Sequence, residues 1–168
     1  GRTVVPIENY VHNPAPIDGG EPFIRGSEGI QFEYSTGSLL VTNTDSGHEG
    51  WVTTEVTLPP GDYELRVNVV SINGTYGTPQ GPIISVAAGD TTLNTAPYAG
   101  NNLIHHCSFT LPRRRKIQLR LHANVPTGAP SAASRFNHIM CMNTEAWTEL
   151  DALGLTWFDD ATVSDPIY

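Results

Sequence analysis

Apolar and polar residues alternate most regularly at Asp62–Ser71, where Tyr63, Leu65, Val67 and Val69 interleave with Glu64, Arg66 and Asn68. A period of two puts one set on a buried face and the other on a wet face, as in a strand with one side in a core. Pro59-Pro60-Gly61 ahead of it forms a turn. The same alternation sets Ile117, Leu119 and Leu121 against Gln118, Arg120 and His122. It also turns Val52, Thr54, Val56 and Leu58 inward and Trp51, Thr53, Glu55 and Thr57 outward. Further strands are predicted at Gly29–Tyr34, Ser38–Thr42, Pro82–Ala87, Leu103–Leu111 and Arg135–Met142. Roughly eight such strands fit two packed sheets. Asn73-Gly74 marks a tight turn, and the small residues from Asn124 to Ser134 a loop.

One helix is predicted over Thr144–Leu153. Asn143 or Thr144 caps it, Glu145 suits its positive end, Ala146, Trp147, Leu150 and Leu153 share a face, and Gly154 stops it. Beyond it Leu155-Thr156-Trp157-Phe158 is short, apolar and extended. Thr144 to Tyr168 holds six acidic residues and no basic ones. The expected fold is therefore all-β: an antiparallel two-sheet β-sandwich over residues 1–143, then a short helix and an acidic aromatic tail over 144–168, packed on or extending from the same domain.

Composition sharpens this picture. Gly 16 and Pro 13 punctuate the 168-residue chain at short intervals, as turns between many short strands do. A formal net charge of -8, from 9 basic and 17 acidic residues, repels nucleic acid. The basic run Arg113-Arg114-Arg115-Lys116 follows a strand end at Leu111-Pro112 and reads better as a solvated turn than as an anion site. Apolar runs are far shorter than the roughly 20 residues of a membrane-spanning helix, so no membrane role is expected. Cys107 and Cys141 lack zinc-site spacing and are expected to be free buried thiols.

Catalytic motifs are missing. There is no phosphate-cradling glycine loop, nucleophile elbow, HExxH or CxxC, and nothing in the spacing places a nucleophile beside a base. Asp159-Asp160 would point to opposite faces of an extended chain, which rules out a joint acid–base role, although calcium could use one of them with backbone carbonyls. No cofactor is otherwise expected. His105 is predicted to face in and His106 out. Sugar binding asks for flat aromatic faces and fixed polar groups. Trp51 is the best platform by alternation, Tyr76 and Tyr98 lie in loops near Asn73 and Asn101-Asn102, and Arg120 sits on an outward strand face.

The order of features is similar to that of the galactose-binding-like jelly-roll modules often classed as carbohydrate-binding modules. The resemblance covers about residues 5–143. Its motifs are Asn9-Tyr10-Val11-His12-Asn13-Pro14, Leu58-Pro59-Pro60-Gly61-Asp62-Tyr63-Glu64-Leu65, Phe109-Thr110-Leu111, Ile117-Gln118-Leu119-Arg120-Leu121 and Arg135-Phe136-Asn137-His138-Ile139-Met140. The end, from Ile139-Met140-Cys141-Met142 through Leu155-Thr156-Trp157-Phe158-Asp159-Asp160-Ala161-Thr162, resembles the close of such modules in tail proteins of phages infecting actinobacteria. Asp160-Ala161 stands where that ending has glycine-aspartate, and Asn137 where aspartate is common.

The resemblance implies a virion protein on the tail or particle surface, homo-oligomeric in the particle, that touches host cell-wall glycans. Trp51, Tyr76, Tyr98, Asn101, Asn102 and Arg120 would then contact the glycan. The other reading is a structural virion module, in which Trp157, Phe158 and Tyr168 dock on neighbouring virion subunits and no glycan is bound.

Overall fold

The computed structural model describes residues 7–11, 23–35, 37–45, 49–73, 81–125, 129–156 and 162–163. Its strands are β1 (Ile7–Glu8), β2 (Ile24–Arg25), β3 (Ile30–Ser35), β4 (Ser38–Asn43), β5 (Trp51–Leu58), β6 (Gly61–Asn73), β7 (Pro82–Ala88), β8 (Thr91–Pro97), β9 (Leu103–Leu111), β10 (Arg115–His122), β11 (Ala132–Asn143) and β12 (Thr162–Val163), with one helix, α1 (Thr144–Ala152). Two five-stranded sheets run β2-β5-β10-β7-β8 and β3-β4-β11-β6-β9, and β1 pairs with β12 in a small ribbon. Every pairing is antiparallel. The chain is thus an all-β sandwich with one short C-terminal helix. No helix among the described residues is long and apolar enough to cross a membrane.

The alternation in the sequence builds the core directly. Val52, Leu58, Ile117, Leu119 and Leu121 of one sheet meet Leu65, Val67, Val69, Phe109 and Phe136 of the other in a single buried cluster. Cys107 and Cys141 are free and buried in that cluster. Both pair with Leu65, so β6 lies between them. Burial pushes the Cys107 thiol up to about 12 and raises that of Cys141 further, which leaves both protonated and unreactive. His105 is buried and His106 exposed, as their alternation predicts.

Strand β11 contains a bulge that the sequence does not announce. The register to β6 shifts between Asn137 and Met140, where His138 takes φ 50°. The extra residue reverses the alternation. Phe136 faces the core, yet so do Ile139 and Cys141, and Met140 and Met142 move to the outer face. There α1 covers them with Ala146, Trp147 and Leu150. Asn143 caps the helix by accepting from Ala146 N at 2.7 Å. Gly154, at φ 73°, and the Leu155 N to Leu150 O bond close it one residue short of the predicted span.

Candidate functional site

The sheet β2-β5-β10-β7-β8 has no described helix or strand across its outer face, whereas α1 lies on the other sheet. Register aligns the outer side chains in rows. Ile24, Thr53, Arg120, Ser85 and Thr95 form one row across all five strands. Trp51 and His122 pair in the row on one side of it, Glu55 and Gln118 in the row on the other.

Trp51 and Arg120 come together on this face at the end where β5 begins and β10 finishes. The Arg120 guanidinium carbon lies 4.7 Å from the Trp51 ring centroid, a cation–π stack. Gly26 supports the indole from behind. An added Cβ there would overlap Trp51 Nε1 and Cδ1, so only glycine lets the β2 end pass this close. Gly26 N also donates to Trp51 O at 2.9 Å. Trp51 is half-buried, so it is an embedded platform with one side supported and not a free-standing ring.

Arg120 donates through Nε and Nη2 to Gln118 Oε1, at 3.3 and 2.8 Å. Gln118 Nε2 in turn donates to Glu55 Oε1 at 3.5 Å. No carboxylate among the described residues reaches Arg120 itself. Burial lowers its pKa, and the field of Glu49 opposes that only in part.

Two outward residues depart from the expected wet face. Thr53 is 5% exposed and His122 only 2%. His122 is held under the sheet's outer layer by the Trp51 ring, 5.6 Å away, and by Ser85 Oγ, 2.8 Å from its Nε2. Burial first, and the Arg120 charge second, push His122 down to about 3, so it is neutral at pH 7. Thr53 Oγ1 and His122 Nδ1 are buried and have no hydrogen-bond partner. Thr54 Oγ1 shares this condition, but on the core side of the strand.

The Ser85–His122 contact corrects the expectation that no nucleophile stands beside a base. Strand pairing, invisible in the spacing, brings the two together. The pair is nonetheless closed: Ser85 is 3% exposed, and no carboxylate orients the far ring nitrogen, Nδ1. A nucleophile–base pair needs an oriented base and access for the reacting atom. This one has neither.

The other predicted contacts lie apart. Tyr98 follows the end of β8, three strand spacings from Trp51, or about 14 Å. Its hydroxyl donates to Asn101 Oδ1 at 2.6 Å and its ring stacks on His105 at 6.0 Å. His105 accepts from Ala99 N at 2.9 Å and donates through Nδ1 to Leu103 O at 2.8 Å, which fixes its tautomer. Asn102 takes φ 53° and donates its N–H to Val70 O at 3.2 Å. Tyr98 and Asn101 thus bond each other in this turn, and Asn102 ties it to β6. Tyr76, Trp157, Phe158, Asp159, Asp160 and Tyr168 lie outside the described residues. Among the described residues no group of three or more His, Cys, Asp or Glu side chains could hold a metal ion.

Sequence reasoning missed Thr53, His122 and Asn124 as contributors to this face. Asn124 ties the sheet's end together: its Oδ1 accepts from Gly50 N at 3.2 Å and its Nδ2 donates to Pro82 O at 2.8 Å.

No family model matches the chain, and no curated protein matches it. Solved structures similar to it include a mutant family 29 carbohydrate-binding module in complex with cellulohexaose, with TM-score 0.46 and 13% identity over 81% of this chain and 89% of that one. A family 29 module from Piromyces equi gives TM-score 0.45 and 9% identity over 83% of this chain and 89% of that one. A further family 29 module gives TM-score 0.44 and 13% identity over 83% and 86%.

Proposed function

We propose that the protein is a non-catalytic glycan-binding module whose ligand lies across the outer face of β2-β5-β10-β7-β8. Trp51 is the stacking platform and Arg120 a fixed donor. One observation carries this reading: a half-buried indole–guanidinium stack whose arginine has no carboxylate partner among the described residues. Tyr98, Asn101 and Asn102 fall outside this site.

The finer reading places the module on a virion, as the resemblance of the chain's end to actinobacterial phage tail modules suggests. There it would adsorb to host cell-wall glycans, weak single contacts being multiplied over identical copies. Trp157 and Phe158 would dock on other virion subunits, so replacing both with serine is expected to block incorporation into particles while the domain still melts cooperatively. A structural calcium at Asp159-Asp160 would raise the melting temperature in calcium over that in chelator.

Binding of labelled protein to actinobacterial cell walls tests the glycan reading. Trp51→Ala is expected to lower retention at least about tenfold, the loss of one stacking contact of over 1.4 kcal/mol. Trp51→Tyr should recover part of it. Unchanged retention by a folded Trp51→Ala protein would reject the site.

A further inference from the structure

Among the described residues the sandwich carries two arginine–tryptophan stacks, one on each outer face, and they differ in one respect. Arg66 lies over Trp147 at 3.9 Å and is bound by two carboxylates, Glu64 Oε2 at 2.7 Å and Asp151 Oδ1 at 3.0 Å. Arg120 lies over Trp51 with only the neutral Gln118 amide as partner. The amide occupies the Nε–Nη2 edge. The Nη1–Nη2 end of the fork keeps its remaining donors, in the geometry that takes a carboxylate bidentately. Burial has already stripped part of this cation's water, so an incoming anion gains more from it than from a fully hydrated side chain. Thr53 Oγ1, opposite Arg120 in the register, and His122 Nδ1 beside it are closed to solvent, so the contact falls to the half-buried Arg120 and Trp51.

We propose that the glycan bound here is acidic, with a sugar carboxylate seated on the open end of the Arg120 guanidinium and the adjoining ring on Trp51. This rests on the glycan-binding reading and narrows it to a ligand class. Of the nearby carboxylates, Glu55 is engaged by Lys116 at 3.7 Å and by Gln118, which leaves Glu49 as the competing field. Thus Glu49→Gln should tighten acidic ligands and leave neutral ones unchanged.

The test measures binding of the full chain to oligogalacturonate, alginate and hyaluronan fragments, each beside its carboxyl-reduced form. At least one acidic fragment is expected to bind about ten- to a hundredfold tighter than its reduced partner, the range for a charge-assisted hydrogen-bond pair. Arg120→Gln should erase that preference, lowering the acidic form's affinity far more than the reduced form's. Should Arg120→Gln fail to fold, Arg120→Lys keeps stem and charge but not the fork, and should lose several-fold of the preference. Equal binding of acidic and reduced forms, a preference that survives in folded Arg120→Gln, or one undiminished in Arg120→Lys, overturns the acidic-ligand proposal and leaves the glycan-binding reading standing. Binding of no fragment by the wild-type chain, with no retention on cell walls, overturns both.

Discussion

The two arginine–tryptophan pairs are built alike and finished differently. On the helix side, Trp147 is 2% exposed and donates its Nε1–H to Glu64 O at 2.7 Å, while Arg66 satisfies two carboxylates. Every strong group there has a partner within the chain, so that stack serves stability by pinning α1 to its sheet. On the open side, Trp51 is half-buried, Arg120 lacks a carboxylate, and two buried polar atoms have no partner. A half-buried cation that the described residues leave without a carboxylate is better explained by a ligand than by stability.

The comparison breaks most sharply at the tryptophans. Trp147→Ala is expected to cost about 3–5 kcal/mol, the range for a buried tryptophan, and to leave glycan retention per folded molecule unchanged. Trp51→Ala should cost less than half of that and lose the retention. Denaturant melts beside cell-wall binding check both, and equal stability losses would erase the distinction.

Next in size is an acid effect confined to the open face. His122 has its folded pKa lowered to about 3, so the unfolded chain takes up its proton first. Its neutral burial is compatible with full stability above the unfolded value of about 6.5, and stability falls as pH drops from there toward 3. Between pH 7 and pH 4.5 the loss is on the order of 2–3 kcal/mol. His122→Gln should flatten that part of the profile in urea melts at the two pH values. A slope identical to wild type would show that His122 titrates normally.

The smallest contrast concerns the arginines. Arg66→Met removes the bonds to Glu64 Oε2 and Asp151, though His106 and Ser108 still hold Glu64 Oε1, and is expected to cost about 1–3 kcal/mol. Arg120→Met removes a partly desolvated cation that has no carboxylate, and should shift stability by less than about 1 kcal/mol in either direction. Comparable losses from the two would mean that Arg120 is a structural residue.

Much of the sandwich was readable from period-two alternation, because strands such as β6, β9 and β10 each keep one face in the core. Strand β8 was not. Its exposed edge position leaves Ala96 as its one buried residue, so it has no apolar alternation to detect. The bulge at His138 was hidden as well, since the reversed alternation still reads as a continuous apolar run from Ile139 to Met142. At the candidate face, alternation placed Trp51 and Arg120 outward but could not bring them together, because their stack depends on β5–β10 register. For the same reason Thr53 and His122 were taken as wet. Outward direction follows from the chain alone, whereas burial on an outer face depends on the neighbours that pairing supplies.

The most direct test follows the tryptophan indole N–H and arginine Nε–H signals by NMR as cell-wall glycan fragments are added. The account expects saturable shifts at Trp51, Arg120 and the Thr53 amide, with Trp147 and Arg66 unmoved. Shifts centred on Trp147 or on the Tyr98 turn, or none at any saturating concentration, would contradict it.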